Sequence, residues 1–531
     1  MFNEAPVAFE QRFPSEVRTQ STNLKQQKLK MGVLKAPKPE ANPDLIATRM
    51  IICGGHPLNL WEQHDMVNFT NALVPEWKPP SRKKILEQTL KECFESVEAQ
   101  VLERIKHTEH LNFTLEDTFE YSYPRLINLS LITEGGALLL CTLSVPAGDD
   151  FQRINSVTTN TGTTMTSLWA LLNTDPRTAH IFTVPCDGRA LQLFVNGILS
   201  LEPFKSMFLE ARMIVDKFYE SPKQYSLLVS KMGVRRPLIA AILARWGTQL
   251  RMLDSFLANE DALIEYASDP HADLSVELKE RLQSGTLFEG LKQLRALLQP
   301  VDMVIRQPEG ERASLSDVPG RWQKLWTSLN SMGHNWSEVS RFTTGVDWSF
   351  SPQVLPIHLA AWALDSDKAR DNPQPLHPAH EDLVIEFLQA VVRPQSARNR
   401  IVSQFLHYRS QKGFFSTSSL GWEMPGNRNF WLYYSTRAPE LSAIALRLLN
   451  AVANSVPSER AFSFLNVSYS QDDRSPIRSY WQAYIYINCH TLKRIEGKGD
   501  GPVTVLDVTE EEAMDLEDRV WAMQSNFMCD D

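Results

Sequence analysis

Apolar residues recur at helical spacing in the segment that follows Pro80. Ser81 can cap this segment, and apolar side chains then return every three or four residues from Ile85 to Ile105. One stripe of the helix is therefore apolar along its whole length, which predicts a long amphipathic helix buried on one side. Residues 46–110, which contain this helix, are expected to form a helical region ahead of the main core.

The pattern changes at Leu111 to short apolar runs of the kind that form strands. Five such runs predict strands at residues 111–115, 125–132, 137–143, 154–159 and 180–184. Gly135 and Gly136 predict a tight hairpin between the second and third strands, and a helix is predicted over residues 164–172. Three antiparallel strands followed by strand, helix and strand is the order of an RNase H-like fold. We expect that fold to begin within residues 111–200.

Helical spacing then dominates residues 201–429. Three of the predicted helices cover residues 204–218, 238–257 and 384–392. No repeat of fixed period is visible along this stretch, so it is not predicted to be a solenoid. We expect one large helical domain.

The two ends of the chain are polar but differ in charge. Residues 1–45 carry scattered lysines, which favour a flexible, solvated arm over a patch for DNA-backbone contact or nuclear import. Residues 498–531 are acidic and are interpreted as a solvated tail.

Composition excludes several classes of protein. The chain has 531 residues and a net charge of −9, which argues against a uniformly basic nucleic-acid binder but not against a local basic face. Its six cysteines form no Cys-x-x-Cys pair, which favours reduced thiols in an intracellular protein over a disulfide framework or a zinc knuckle. No secretory signal pattern is visible, and no apolar run approaches the roughly 20 residues of a membrane span.

An ordered set of residues near the C-terminal end includes the segment Ser455-Val-Pro-Ser-Glu-Arg-Ala-Phe-Ser463. The set comprises Trp431, Pro439, Leu441, Ala445, Ser455, Glu459, Arg460, Phe462, Ser463, Arg474 and Asn488. It resembles the C-terminal dimerisation region of the hAT superfamily of DNA transposases. Weaker matches at residues 73–82 and at Ala244-Arg245-Trp246 extend the resemblance over roughly residues 57–492.

The resemblance implies an α/β fold combined with an all-α part. In this arrangement an RNase H-like core is interrupted by a large helical insertion domain, residues 201–429. Residues 430–497 then hold the dimerisation region and the end of the core. The implied partners are a second copy, in a homodimer or higher oligomer, and double-stranded DNA, in the nucleus. Neither a membrane nor a small-molecule substrate is expected.

The resemblance also assigns roles to individual residues. Dimer contacts fall on Trp431, Leu441, Leu448, Arg460 and Phe462. Arg245-Trp246 resembles a pair whose tryptophan stacks near the DNA ends, although a tryptophan in a helical domain is more often part of the core. Arg321-Trp322 repeats the dipeptide and is interpreted as a chance match.

Active relatives hold two divalent metal ions with three carboxylates. Two hard cations close together require that much negative charge. The first acid is expected directly after the strand at 111–115, where either Glu116 or Asp117 could stand, or where both could be exposed loop acids. The second position falls on Thr159, which is neutral. The third is Glu459, which is equally compatible with an acid placed near a helix start.

The incomplete acid set predicts a transposase-like protein that no longer cleaves DNA but still dimerises and binds DNA, as a transcriptional or chromatin regulator. Mg²⁺ or Mn²⁺ is expected as a cofactor only if cleavage survives. Two alternatives stay open: an active transposase using Glu116 or Asp117 together with Glu459 and an unrecognised second acid, and a decayed remnant without function.

Two further departures from the family are visible. Residues 144–156 are near the minimum length for a crossover to a parallel strand, so the helix expected there is predicted to be shortened or lost. Cys53, His56 and His64 lack the further ligands of a zinc finger, so no finger is predicted.

Overall fold

Helices and one small sheet make up the described part of the chain. The computed structural model describes residues 42–117, 127–133, 136–140, 152–233, 237–241, 246–305, 313–331, 354–371, 377–392, 395–455 and 476–497. The crossover predicted within residues 144–156 lies largely outside them, as do the tail at 498–531 and residues 1–41 of the arm predicted over 1–45. The end of that predicted arm is not flexible, because a helix capped by Asn42 begins at Pro43. Among the described helices, none combines the length and apolar character that a membrane crossing requires.

The helices are numbered in chain order, with α3 comprising an α-helical, a π-helical and a second α-helical segment. They are α1 (Pro43–Cys53), α2 (His64–Leu73), α3 (Arg82–Lys84, Ile85–Thr89 and Leu90–Lys106), α4 (Thr163–Thr174), α5 (Asp187–Leu199), α6 (Phe204–Glu220), α7 (Pro222–Lys231), α8 (Trp246–Leu257), α9 (Glu260–Ser268), α10 (Val276–Gln283), α11 (Thr286–Ile305), α12 (Val318–Ser331), α13 (Pro356–Ala363), α14 (Ser366–Asp371), α15 (Pro378–Val391), α16 (Gln395–Arg409), α17 (Gly426–Tyr433), α18 (Pro439–Asn450) and α19 (Pro476–Ile495).

The five predicted strands form one mixed sheet. They are β1 (Leu111–Asp117), β2 (Ile127–Thr133), β3 (Gly136–Leu140), β4 (Ile154–Thr159) and β5 (Phe182–Pro185). The order across the sheet is β3-β2-β1-β4-β5, with β1 antiparallel to β2 and parallel to β4. The predicted pairing of β2 with β3 is confirmed, since Thr133 stands opposite Gly136, whose φ of 119° suits glycine. The turn at 134–135 and the predicted strand ends at 125–126 and 141–143 lie outside the described residues.

The long amphipathic helix predicted after Pro80 is confirmed as α3. The Ser81 hydroxyl accepts the Lys84 backbone N–H at 3.3 Å and caps its first turn. At the other end, the Arg153 guanidinium donates to the carbonyls of Ile105 and Thr108, the latter at 2.6 Å. Carbonyls at a helix end lack partners within the helix, so Arg153 fastens α3 to the start of β4.

The helix α19 covers the edge strand β3. The side-chain amide of Asn488 accepts the backbone N–H of Leu139 at 2.8 Å and donates to its carbonyl at 2.9 Å. The Thr491 hydroxyl donates to the Ala137 carbonyl at 2.9 Å. An uncovered edge strand leaves such backbone groups free to pair with another chain, and α19 satisfies them within this chain.

Two apolar clusters organise the described residues. The first packs α1, α3 and α19 on one face of the sheet, and it includes Phe113, Val97 and Ile485. The second extends from β5 and α5 through the helices to Ala453. The predicted helical region over residues 201–429 is confirmed in this coarse sense, because its described residues form helices joined by turns and loops.

One predicted helix begins later than expected. Apolar spacing predicts a helix from Leu238, whereas residues 237–241 have no regular secondary structure and α8 begins at Trp246. Side chains use the backbone groups there: the Tyr219 hydroxyl donates to the Leu238 carbonyl at 2.8 Å, and the Ile239 N–H donates to the Ser255 hydroxyl at 3.0 Å.

Three residues assigned to a dimer contact lie inside the chain. Trp431, Leu441 and Leu448 have no exposed area, and the Trp431 indole donates to a backbone carbonyl of the same chain. A side chain without exposed area cannot meet the surface of another chain, so this assignment is corrected: the three belong to the chain's own core. Arg460 and Phe462 lie outside the described residues, and dimerisation itself stays a prediction.

The segment predicted as one unit over residues 430–497 is divided between the two clusters. Its first part, α17 and α18 up to Ala453, packs with the helical cluster. Its last part, α19, packs with the sheet and with α1 and α3. Apolar periodicity predicts that these helices are buried, but it does not indicate which core each one joins.

An aromatic cluster at the centre of the helical part contains two tyrosines in different hydrogen-bonding states. The Tyr408 ring lies 5.0 Å from that of Trp431, and the Tyr434 ring lies 4.4 Å from that of Phe415. The Tyr434 hydroxyl donates to the Ser419 hydroxyl at 2.7 Å. The Tyr408 hydroxyl is buried without a hydrogen-bond partner among the described residues, and this burial raises the pKa of Tyr408 above its ordinary value.

We expect the two phenylalanine substitutions to have opposite effects. Tyr408→Phe removes a buried hydroxyl that makes no hydrogen bond, so the free energy of unfolding should stay constant or rise by about 1 kcal/mol. Tyr434→Phe removes a hydrogen bond and should lower the free energy of unfolding by about 1 kcal/mol. Urea unfolding followed by circular dichroism measures both variants. A larger loss for Tyr408→Phe than for Tyr434→Phe would contradict the assigned hydrogen bonding.

Candidate functional site

The face of the sheet opposite α1 and α3 is polar and still buried. Side chains alternate between the two faces of a strand, so Asn112, Thr114 and Glu116 of β1 share the face away from Phe113. Most of their neighbours across the register are also polar and buried, namely Asn128, Ser130, Ser156 and Thr158, while Asn112 also faces the apolar Ile132. Buried polar groups need hydrogen-bond partners, so this face requires a specific cover.

The segment Val452 to Ser455 lies across this polar face. Its Val452 carbonyl accepts the Thr158 hydroxyl, and its Ala453 carbonyl accepts the Asp187 backbone N–H, each at 2.8 Å. The Ala453 N–H donates to the Ala313 carbonyl at 2.8 Å, which links the segment to the helical part. The segment that leads to Glu459 is therefore held at the carboxyl ends of β1 and β4.

Glu116 lies at the centre of this arrangement and is 7% exposed. One carboxylate oxygen accepts the Asn160 side-chain amide at 2.5 Å, and the other accepts the Ser455 hydroxyl at 2.8 Å. The interpretation of Glu116 as an exposed loop acid is therefore wrong, since its carboxylate is buried among polar partners. The side chain of Asp117 lies outside the described part of the chain, as does Glu459.

A local turn orients the Asn160 amide. Its carbonyl oxygen accepts the Gly162 N–H at 2.9 Å, at the turn that leads into α4. The amide nitrogen therefore points to Glu116, which needs a donor. This orientation is the one that satisfies both groups.

Thr159 occupies the end of β4 next to β1. It is fully buried, it stands opposite Leu115 in the parallel register, and its hydroxyl donates to the Asn160 carbonyl at 2.6 Å. Its own carbonyl accepts the Cys186 N–H at 2.8 Å. The sequence prediction placed the second acid here, and the residue that stands here is neutral and engaged with the backbone.

Cys186 and Asp187 follow β5 at the edge of this cluster. The Cys186 sulfur is buried and accepts the Ser455 N–H at 3.3 Å, as a small buried side chain can. The Asp187 carboxylate accepts the Arg321 guanidinium Nε and the Trp322 indole N–H, both at 2.8 Å. Its negative charge is therefore paired with Arg321, which joins α5 to α12, and does not take part in the cluster around Glu116.

The sequence gives no sign that Arg321 and Trp322 pair with Asp187, and the dipeptide was interpreted as a chance match. In the structure both side chains bind one carboxylate, and the Arg321 and Asp187 side chains are 4% and 1% exposed. More than a hundred residues separate the two partners in the sequence, so no local pattern could have paired them.

The described groups around Glu116 do not by themselves make a site for a pair of divalent metal ions. They are one carboxylate, the Ser455 hydroxyl and the Asn160 amide, whereas two such ions require several converging carboxylates. Within the ranges that the structure describes, no group of three or more His, Cys, Asp or Glu side chains is arranged to hold a metal ion.

The candidate DNA-contact residues remain predictions. Arg245 lies outside the described residues, and Trp246 begins α8 with its side chain also outside them. A scan against protein-family models and a search of curated proteins find no match to this chain. The hAT resemblance therefore depends on the residues named above.

We expect loss of the buried Asp187–Arg321 pair to lower the free energy of unfolding more than loss of an exposed pair. Arg321→Met leaves a buried carboxylate without its cation and should lower the free energy of unfolding by about 3–5 kcal/mol. Asp187→Asn added to Arg321→Met should recover part of that loss, because the neutral amide still accepts the Trp322 N–H. Chemical unfolding of the single and double variants measures the recovery.

Arg295 provides a matched control for this prediction. It pairs with Asp254 on the surface, where the two side chains are 25% and 49% exposed. Arg295→Met should therefore cost at most about 1 kcal/mol. Equal losses for Arg321→Met and Arg295→Met would show that the buried pair contributes no more than a surface one.

Proposed function

We propose that this chain is a hAT transposase-like protein that no longer cleaves DNA and that acts as a dimerising, DNA-binding regulator of transcription or chromatin in the nucleus. The observation that carries the proposal is the state of Glu116. Among the described residues, its buried carboxylate accepts hydrogen bonds from the neutral groups of Asn160 and Ser455.

The strand order of the sheet supports the relationship to hAT transposases in this proposal. The order β3-β2-β1-β4-β5, with β1 and β4 parallel and adjacent, is the one expected of an RNase H-like core. This order brings the ends of β1 and β4 together, where the resemblance predicts the first acid, Glu116 or Asp117, and the second, which is replaced by the neutral Thr159.

The hydrogen bonds around Glu116 support the loss of cleavage. The Asn160 N–H and the Ser455 O–H each point at a carboxylate oxygen, in the space that a cation would need. A divalent ion would have to displace both donors while gaining one negative charge from the described residues of this cluster. Glu116 is therefore proposed to act as a hydrogen-bond acceptor that holds Ser455 against the sheet.

The proposal predicts that divalent metals act alike on the native protein and on a Glu116 variant. Neither Mg²⁺ nor Mn²⁺ should produce nicks in a supercoiled plasmid or in a duplex carrying terminal inverted repeats. The change in Tm caused by Mn²⁺ should be equal for the unmodified chain and for Glu116→Gln. Differential scanning fluorimetry and gel electrophoresis measure the two effects.

The outcome that contradicts this prediction is Mn²⁺-dependent nicking that Glu459→Gln abolishes. That result would favour an active transposase using Glu459 together with acids outside the described residues. Glu440→Gln provides a control, because Glu440 is an acid of the same region that pairs with Arg400 at 2.6 Å and Gln404 at 2.6 Å.

DNA binding and dimerisation are tested together on the full chain. We expect light scattering at micromolar concentration to give the mass of a dimer or larger oligomer. A DNA duplex should be retarded in gels at low salt. The logarithm of the binding constant should fall linearly with the logarithm of the salt concentration. Arg245→Ala should weaken binding, whereas the exposed Arg177, which pairs with Asp175, should tolerate alanine. A strict monomer that retards no duplex would contradict the proposal and favour a decayed remnant.

A further inference from the structure

Positive charge is concentrated in the part of the chain that contains α16 and α17. Residues 395–437 include six Arg or Lys and a single acid, Glu423, although the whole chain has a net charge of −9. Four of the six basic side chains belong to exposed residues, namely Arg400, Lys412, Arg428 and Arg437. The net charge of the chain thus conceals a local excess of positive charge.

One flank of α16 faces the start of α18. Arg400, Gln404 and His407 recur at helical spacing, so they lie on the same side of α16. The Gln404 side-chain oxygen accepts the Leu441 N–H at 2.9 Å, and its amide donates to the Glu440 carboxylate at 2.6 Å. These two bonds place the flank that carries Arg400 beside the first turn of α18.

Two arginines are held at this boundary by contacts within the chain. The Arg400 guanidinium donates to the Glu440 carboxylate at 2.6 Å, and the Arg400 side chain is still 57% exposed. The Arg437 guanidinium lies 5.1 Å from the centre of the Tyr433 ring and donates to the Tyr433 hydroxyl at 3.2 Å. A guanidinium has five N–H donors, which is more than these contacts use.

The cations on this flank are spread out rather than gathered around one point. Arg400 and His407 are seven residues apart in α16, which corresponds to a rise of about 10 Å. The Lys412 N–H donates to the His407 carbonyl at 3.0 Å, so Lys412 lies at the far end of the flank. Duplex DNA carries one negative charge for about every 1.7 Å of its axis, so cations at this spacing match a row of phosphates along a strand.

The nearby aromatic rings favour a duplex over a single strand. Proteins that bind single strands usually offer exposed aromatic rings on which bases stack. Here the Arg437 guanidinium lies over the Tyr433 ring, and the Phe414 ring lies 4.8 Å from that of Phe415 and 6.4 Å from the His407 imidazole. Because these rings already have partners within the chain, contact with the phosphate backbone is the chemistry that this flank offers.

We propose that Arg400, Lys412 and Arg437 form a basic surface that binds the phosphate backbone of duplex DNA. This inference rests on the proposed function, in which the chain binds DNA, and it names the surface that makes the contact. Guanidinium and ammonium groups donate strong hydrogen bonds to phosphate oxygens. Backbone contacts carry no base information, so this surface contributes affinity that depends on salt concentration and not on DNA sequence.

The test compares two triple variants of the full chain that lose the same charge. The surface variant combines Arg400→Gln, Lys412→Gln and Arg437→Gln. The control variant combines changes at three exposed cations elsewhere, each paired with an acid, namely Lys106→Gln, Arg177→Gln and Lys292→Gln. Fluorescence anisotropy with a labelled duplex of arbitrary sequence measures the binding constant at several salt concentrations, and circular dichroism establishes that each variant is folded.

The slope of the logarithm of the binding constant against the logarithm of salt concentration is the deciding measurement. We expect the surface variant to reduce the magnitude of this slope by about 3, because each lost phosphate contact contributes about 1. The control variant should keep the slope of the unmodified chain. A double variant, Lys412→Gln with Arg437→Gln, keeps the ion pair between Arg400 and Glu440 and should reduce the slope by about 2.

The outcomes separate this inference from the proposed function. If the unmodified chain, the surface variant and the control variant bind the duplex with equal slopes, the basic surface is wrong while DNA binding stands. If the unmodified chain binds no duplex at any salt concentration, both fail. If it binds a single strand more tightly than the duplex, and the surface variant loses that preference, the assignment to duplex DNA is overturned.

Discussion

The buried polar face of the sheet is the constraint on which the rest of the structure depends. Asn112, Thr114 and Glu116 are buried on a strand at the centre of the sheet. Bulk water does not reach their polar groups, so these groups need hydrogen-bond partners within the protein. The segment from Val452 to Ser455 supplies backbone and side-chain partners to this face. Because this segment also bonds to Ala313, the cover of the sheet and the helical part are held together.

A second link between the two parts is electrostatic. Asp187, at the start of α5, receives Arg321 and Trp322 from α12 in a site with almost no exposed area. A buried ion pair tolerates few alternative arrangements, because a small displacement leaves a charge without its partner. The helical part is therefore positioned on the strand ends by charge as well as by apolar packing.

These contacts give the Glu116 carboxylate a structural role. It joins the end of β1 to Asn160 and Ser455, which come from two distant parts of the chain. A buried acid that satisfies buried donors in this way contributes to the stability of the fold.

The sequence by itself determined the local elements, including the five strands, the capped helix α3 and most of the helical region, because apolar spacing and turn residues act over a few positions. It also placed Glu116 or Asp117 just after one strand and Thr159 at the end of another. Only the tertiary structure decided that Glu116 is buried, that Trp431 belongs to the chain's own core, and that Arg321 pairs with Asp187. Those outcomes depend on contacts between residues far apart in the chain, and hydrophobic periodicity carries no information about such pairs.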